Sequence, residues 1–165
     1  MERLWAPWRI RYICAKNPGC IFCKAAKSHH DNKDFVLERG RFGFSVLNLF
    51  PYNNGHIMVA PLRHVANLES LKGEEAQDLS RLVISAKQKL EHCLNPDGYN
   101  IGLNLGRVAG AGFPGHLHIH IVPRWRGDTN FMSAVADTKV ISQSLKELYQ
   151  KLTNAHPKRT RGSRR

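Results

Sequence analysis

The stretch GHLHIHIVPRW, residues 115–125, sets His116, His118 and His120 at alternate positions between Leu117, Ile119 and Ile121. In an extended chain, residues two apart point the same way, roughly 6.6 Å apart. The three imidazoles therefore share one face of a strand and the apolar residues take the other. Such a strand needs a core on one side. On the other it needs partners for three polar rings, because burying a polar group unpaired is costly. This predicts a sheet with one face packed and the other carrying a site. Three readings of the triplet compete at this point: a metal site, a nucleophile with helpers, or a polar strand face.

The segments around the triplet point to an α+β domain with a mainly antiparallel five-stranded sheet and two helices. Residues 34–48, DFVLERGRFGFSVLN, read as two short strands around a turn at Arg39, Gly40 and Arg41, with Phe42, Phe44 and Val46 alternating. A third strand covers 56–61, a fourth 99–104, and the histidine segment closes the sheet. Residues 73–93 have helical period, with Leu79, Leu82, Val83, Ala86, Leu90 and Cys93 every three or four positions. Asn95, Pro96, Asp97 and Gly98 end that helix. A second helix is expected over 137–152, with Val140, Ile141, Leu145, Leu148 and Leu152 on one face. Between the fourth strand and the triplet lies a glycine-rich loop, GRVAGAGFPG, residues 106–115.

The 165 residues suit one domain, taken as 16–153, with an aromatic and basic N-terminal arm at 1–15 and a basic disordered tail at 154–165. A formal charge of +12, with 25 Lys and Arg against 13 Asp and Glu, favours polyanionic partners. Five of those positive charges lie in the tail, so nucleic acid is expected to bind there only weakly, if at all. No apolar run reaches the length of roughly 20 residues needed for a membrane span. The N-terminus lacks the pattern of a signal peptide. The expected setting is cytoplasmic, and there a Cys-x-x-Cys pair points to metal or redox chemistry rather than a structural disulfide. Cys20 and Cys23, in GCIFC, have the spacing of half a tetrahedral zinc site. Their other two ligands can come from His29, His30, His64 or the triplet.

CIFC, Asn48 at a strand end, GHIMVAP at 55–61, His64, the glycine-rich loop and HLHIHIV together resemble the histidine-triad family. The match runs over residues 20–125, about two thirds of the chain. The resemblance implies a structural zinc held by Cys20, Cys23, His64 and His116. It implies that His118 is the nucleophile, attacking the α-phosphorus of a nucleotide. His120 and His56 would contact phosphate or hold the nucleophile, and Asn48 would meet the ribose. Asn104 would reach the leaving phosphate, and Gly106, Gly110 and Gly112 would line a loop whose backbone N–H groups can cradle an anion. It further implies an adenine nucleotide or dinucleoside polyphosphate as ligand, and a homodimer. Turn formation is the competing role for the two asparagines.

One departure matters. Hydrolytic and transferase members of that family commonly carry Gln four residues before the first triad histidine, whereas Gly112 stands there and Gln is absent from the loop. With the LWAPWR start and PRWRGDTNFM after the triplet, this is similar to the branch of diadenosine tetraphosphate phosphorylases (ATP adenylyltransferases), in which inorganic phosphate takes the adenylyl group. The alternatives are hydrolysis of the same or related nucleotides, phosphoramidates among them, and a nucleotide-binding regulator with little turnover.

Overall fold

A computed structural model describes residues 19–128, 141 and 143–154 of the chain. The elements are, in order, helices α1 (Ile21–Lys27) and α2 (Asp31–Asp34), strands β1 (Val36–Arg39), β2 (Gly43–Leu47) and β3 (Ile57–Pro61), a 3-10 turn (Leu68–Ser70), the long helix α3 (Gly73–Leu94), strands β4 (Gly98–Leu103) and β5 (Ile119–Arg124), and helix α4 (Leu145–Thr153). The five strands form one antiparallel sheet in the order β1-β2-β3-β5-β4. The chain leaves β3, crosses through α3, runs along the edge as β4 and turns back inward as β5. The histidine-bearing segment is thereby set between two other strands.

The two faces of the sheet have different covers. Leu47, Ile57, Val59 and Ile121 pack beneath α3 and α4 against Leu79, Leu82, Ala86, Leu90, Leu148 and Leu152. On the opposite face, Phe44, Val46, Met58 and Ala60 meet Phe22 of α1. Alternation therefore sorts β2 and β3 onto two cores rather than onto core and water, and all five residues of each strand are buried. The face shared by Phe22 and Met58 is the face of His120, since Met58 pairs directly with His120 across the ladder. On the other side of His120 the partner is Gly102, which puts no side chain beside it.

Three expectations are corrected. Two short helices, α1 and α2, join the two read from period; at seven and four residues they are too short to show one. Helix α4 starts at Leu145, where Ser144 and Glu147 form a capping box: Glu147 N donates to Ser144 Oγ at 3.3 Å and Ser144 N to Glu147 Oε2 at 3.4 Å; residues 137–140 of the expected helix lie outside the described residues. The ladder of β5 begins at Ile119, so His116 and His118 precede it. There Leu117 N donates instead to Val65 O at 2.6 Å, as the chain beyond β3 turns away from the sheet. The expected arm at 1–15 and the tail from 155 lie outside the described residues; Asn154 closes α4.

Candidate active site and metal centre

The four residues expected to hold a metal come together. One ligand atom each from Cys20, Cys23, His64 and His116 lies within 4.8 Å of the others. Cys20 Sγ is 3.2 Å from His116 Nδ1, and Cys23 Sγ is 3.2 Å from His64 Nδ1 and 3.6 Å from His116 Nδ1. An S2N2 tetrahedron with ordinary zinc–ligand lengths has S–N edges of about 3.6 Å. Helix α1 makes the thiols converge: Cys20 is its N-cap and accepts from Cys23 N at 3.4 Å. His116 Nε2 donates to Pro61 O at 2.9 Å, which leaves the Nδ1 lone pair facing the thiols. Burial pushes the Cys20 thiol up from its ordinary 9.0; the Cys23 backbone N–H works against this and the Cys23 thiol adds to it. Burial likewise holds His116 below 6.5. Two thiols and two imidazoles, that of His116 held in the tautomer a metal needs, are a donor set that fits a divalent metal ion. His29 and His30, the competing candidates, are exposed and outside the cluster.

His118 lies between this cluster and the sheet and is 6% exposed. Its Nδ1 is 2.8 Å from His116 O. A carbonyl oxygen can only accept, so the proton sits on Nδ1 and the lone pair on Nε2. Burial holds this imidazole below its ordinary 6.5, the bond to His116 O working the other way. The ring is therefore neutral near pH 7, the form in which nitrogen is nucleophilic.

A second tautomer assignment follows from the backbone. Tyr52 N donates to His56 Nδ1 at 3.0 Å, and an amide N–H can only donate. Asn48 supports this: its Oδ1 accepts from Phe50 N at 2.9 Å, which turns Nδ2 toward His56 Nδ1 at 3.2 Å. The proton of His56 is thus on Nε2, which donates to His120 Nδ1 at 2.9 Å. His120 in turn carries its proton on Nε2. The rings of His118 and His120 meet edge to face at 4.8 Å, and Tyr52 stacks on His56 at 5.0 Å with planes 19° apart. A neutral imidazole with its lone pair on Nε2 thus lies beside an N–H donor.

The glycine-rich loop follows β4. Asn104 and Gly110 are near neighbours in it: a Cβ built on Gly110 would stand 4.0 Å from Asn104 Nδ2. Gly110 N donates to Arg107 O at 3.0 Å and Ala111 N to Gly106 O at 3.3 Å, so Gly110 serves the turn and its N–H is committed. Gly106 and Gly110 have φ of +81° and +87°, which any side chain would strain. Gly106 and Gly112 are exposed.

Sequence reasoning missed Phe22, Tyr52 and the Arg63–Glu75 pair. Phe22 is 2% exposed and its ring lies 4.7 Å from His118 and 5.1 Å from His116. Tyr52 acts through its backbone N–H, which residue type does not reveal. Arg63, beside His64, is held by Glu75 through bonds of 2.9 and 2.8 Å, and Glu75 also accepts from Lys72 N at 2.8 Å. The spacing of Lys72 and Glu75 at the start of α3 was the available sign of that cap.

A five-stranded antiparallel sheet carrying a histidine triplet beside a Cys2His2 cluster defines a class, and the HIT domain model matches residues 30–127; the chain belongs to the HIT family. It is 38% identical over 157 residues to the AP-4-A phosphorylase of Mycobacterium tuberculosis (strain CDC 1551 / Oshkosh), covering 89% of this chain and 80% of that relative. It is 36% identical over 93 residues to the asymmetrical bis(5'-nucleosyl)-tetraphosphatase of Schizosaccharomyces pombe, covering 56% of this chain and 50% of that one. The fold matches the crystal structure of a Zn-bound histidine triad family protein from Mycobacterium smegmatis, with a TM-score of 0.66, 23% identity, and coverage of 82% and 91% of the two chains.

Proposed function

We propose that the protein is a nucleotidyltransferase that cleaves dinucleoside polyphosphates of the diadenosine tetraphosphate type through a covalent nucleotidyl-histidine, with inorganic phosphate as acceptor. The observation that carries this reading is the Nδ1 bond of His118 to His116 O at 2.8 Å, which leaves Nε2 as a neutral nucleophile. Nε2 attacks the α-phosphorus and the polyphosphate departs with the electron pair of the broken P–O bond. A phosphate oxygen then attacks the same phosphorus and returns the N–P pair to Nε2, releasing nucleoside diphosphate. His120 Nε2–H is placed to donate to a phosphoryl oxygen, its tautomer set by His56, Asn48 and the Tyr52 N–H. Gly102 opposite His120 leaves that side of the strand open to a ligand. The exposed loop glycines Gly106 and Gly112, with Asn104, are the residues we assign to the polyphosphate, and Asn48 also to the ribose.

Cys20, Cys23, His64 and His116 would hold zinc. With four protein ligands the ion is a structural clamp that ties α1 to the segment before β5. The 38% identity to a relative named AP-4-A phosphorylase, over most of both chains, supports the phosphate acceptor, as does Gly112 in place of Gln. The likeness to a tetraphosphatase favours water instead, over a shorter stretch. A second copy pairing along β4, at the sheet edge with Ile101 48% exposed, is the assembly we favour. A Cys-x-x-Cys pair given over to metal and a nucleotide substrate suit a cytoplasmic setting. Among the described residues, no helix is long and apolar enough to cross a membrane.

Product analysis tests the acceptor. With diadenosine tetraphosphate and phosphate, ADP and ATP should accumulate; without phosphate, turnover should stop after one equivalent. AMP and ATP formed at the same rate without phosphate would show hydrolysis.

A further inference from the structure

Phe22 stands between the two cysteines of the metal cluster and packs on the ring expected to do the chemistry. Its centroid is 4.7 Å from that of His118, with planes 31° apart, and 5.1 Å from that of His116, with planes 38° apart. Phe113, from the glycine-rich loop, meets its edge at 6.3 Å and 70°. We propose that the Phe22 ring stabilises the positive charge that His118 acquires when it is nucleotidylated. This rests on the nucleophile assigned above and adds a residue that the covalent step itself does not require.

The charge follows from the bonding. As Nε2 forms the N–P bond, the leaving phosphate takes the P–O electron pair and Nδ1 keeps its proton. The ring becomes an imidazolium until the acceptor breaks the N–P bond and returns the pair to nitrogen. His118 is 6% exposed, so water solvates that charge poorly. The Nδ1 proton is given to a neutral carbonyl, His116 O, and not to a carboxylate. An aromatic face within about 6 Å carries the negative end of its quadrupole toward a cation. Phe22 meets that distance. A leucine would fill much of the same space without the quadrupole, and this separates the inference from simple packing. Both ends of the CIFC segment are in the metal cluster, so the clamp also holds this ring in place.

The test replaces Phe22 in the full-length, zinc-loaded protein with mono-, di- and trifluorinated phenylalanines, which weaken the quadrupole at nearly constant shape, and separately with Phe22→Leu. Rapid quench with diadenosine tetraphosphate in phosphate-free buffer, followed by mass spectrometry, gives the rate of adduct formation on His118. Zinc content and thermal midpoint are read on the same samples. The expected result is a stepwise fall in adduct rate, about tenfold across the fluorinated series, at unchanged zinc content and midpoint. F22L should match the slowest member. Equal rates across the fluorinated series overturn the inference while leaving the nucleophile intact. Absence of any His118 adduct in the unsubstituted protein overturns the covalent mechanism, and this inference with it.

Discussion

His56 Nε2 lies 2.9 Å from His120 Nδ1, and the direction of that hydrogen bond is set from outside the pair. The Tyr52 amide, which can only donate, points at the far nitrogen of His56 at 3.0 Å. A backbone N–H thereby decides where the proton of His120 resides, two rings away.

Removing the proposed nucleophile should end covalent chemistry without unfolding the protein. His118→Ala is expected to lower turnover of diadenosine tetraphosphate by at least about a thousandfold. Retained zinc and an unchanged circular dichroism spectrum would exclude a folding defect. Near-normal turnover in that variant would refute the mechanism.

The tautomer assignment gives Asn48 a role beside the ribose contact proposed for it. Asn48→Asp presents carboxylate oxygens, in place of an N–H donor, to His56 Nδ1 and so favours a proton on that nitrogen. The expected outcome is a kcat lowered about tenfold or more, with a changed 15N shift for His56 in a histidine-labelled sample. A rise confined to KM would assign Asn48 to binding alone.

Metal removal should cost stability before it costs shape. The protein as isolated is expected to contain about one zinc per chain, and Cys23→Ser to contain little. Its thermal midpoint should fall by roughly 5 °C or more. Elemental analysis and calorimetry on the same preparations read both quantities.

Glu75 predicts an acid limb in the stability profile. Its hydrogen bonds with Arg63, seconded by the Lys72 N–H, lower its carboxyl from 4.5 to about 2. A depressed carboxylate contributes stability that is complete above the unfolded value of 4.5 and is lost as pH falls toward about 2. Glu75→Gln should therefore be less stable than the parent near pH 7, by on the order of 1 kcal/mol, since Arg63 faces solvent. The two should converge at the acid end. Urea midpoints measured between neutral and strongly acid pH give the comparison.

The homodimer proposed on the β4 edge depends on one exposed side chain. Ile101→Lys places a charge on that edge strand and should shift the protein to monomer in light scattering at micromolar concentration. An unchanged mass would move the interface elsewhere.

Much of the sheet and of the site was legible because it follows from local period and spacing. Alternation at 115–125 announced a strand, of which the ladder takes up His120 alone among the three histidines, and Leu79 to Leu90 announced α3 by its three-and-four repeat. Cys20 and Cys23, with the resemblance carried by HLHIHIV, named the candidate ligand set that the fold brings together from positions up to 96 residues apart. Helix α1 was not legible, since seven residues show barely two turns and its cap is a cysteine thiol. Nor was the start of β5, which depends on Val65 O taking the Leu117 N–H.

What the chain determined by itself is which residue types stand at which spacing, because side-chain direction along a strand or helix depends only on local backbone geometry. What tertiary structure decided is which nitrogen of His56, His116, His118 and His120 carries the proton, and which aromatic ring lies on His118. Those depend on carbonyls, amides and a phenylalanine that reach the rings across the fold. Pro61 O serves His116, Tyr52 N serves His56, and Phe22 reaches His118 from a helix 96 residues upstream.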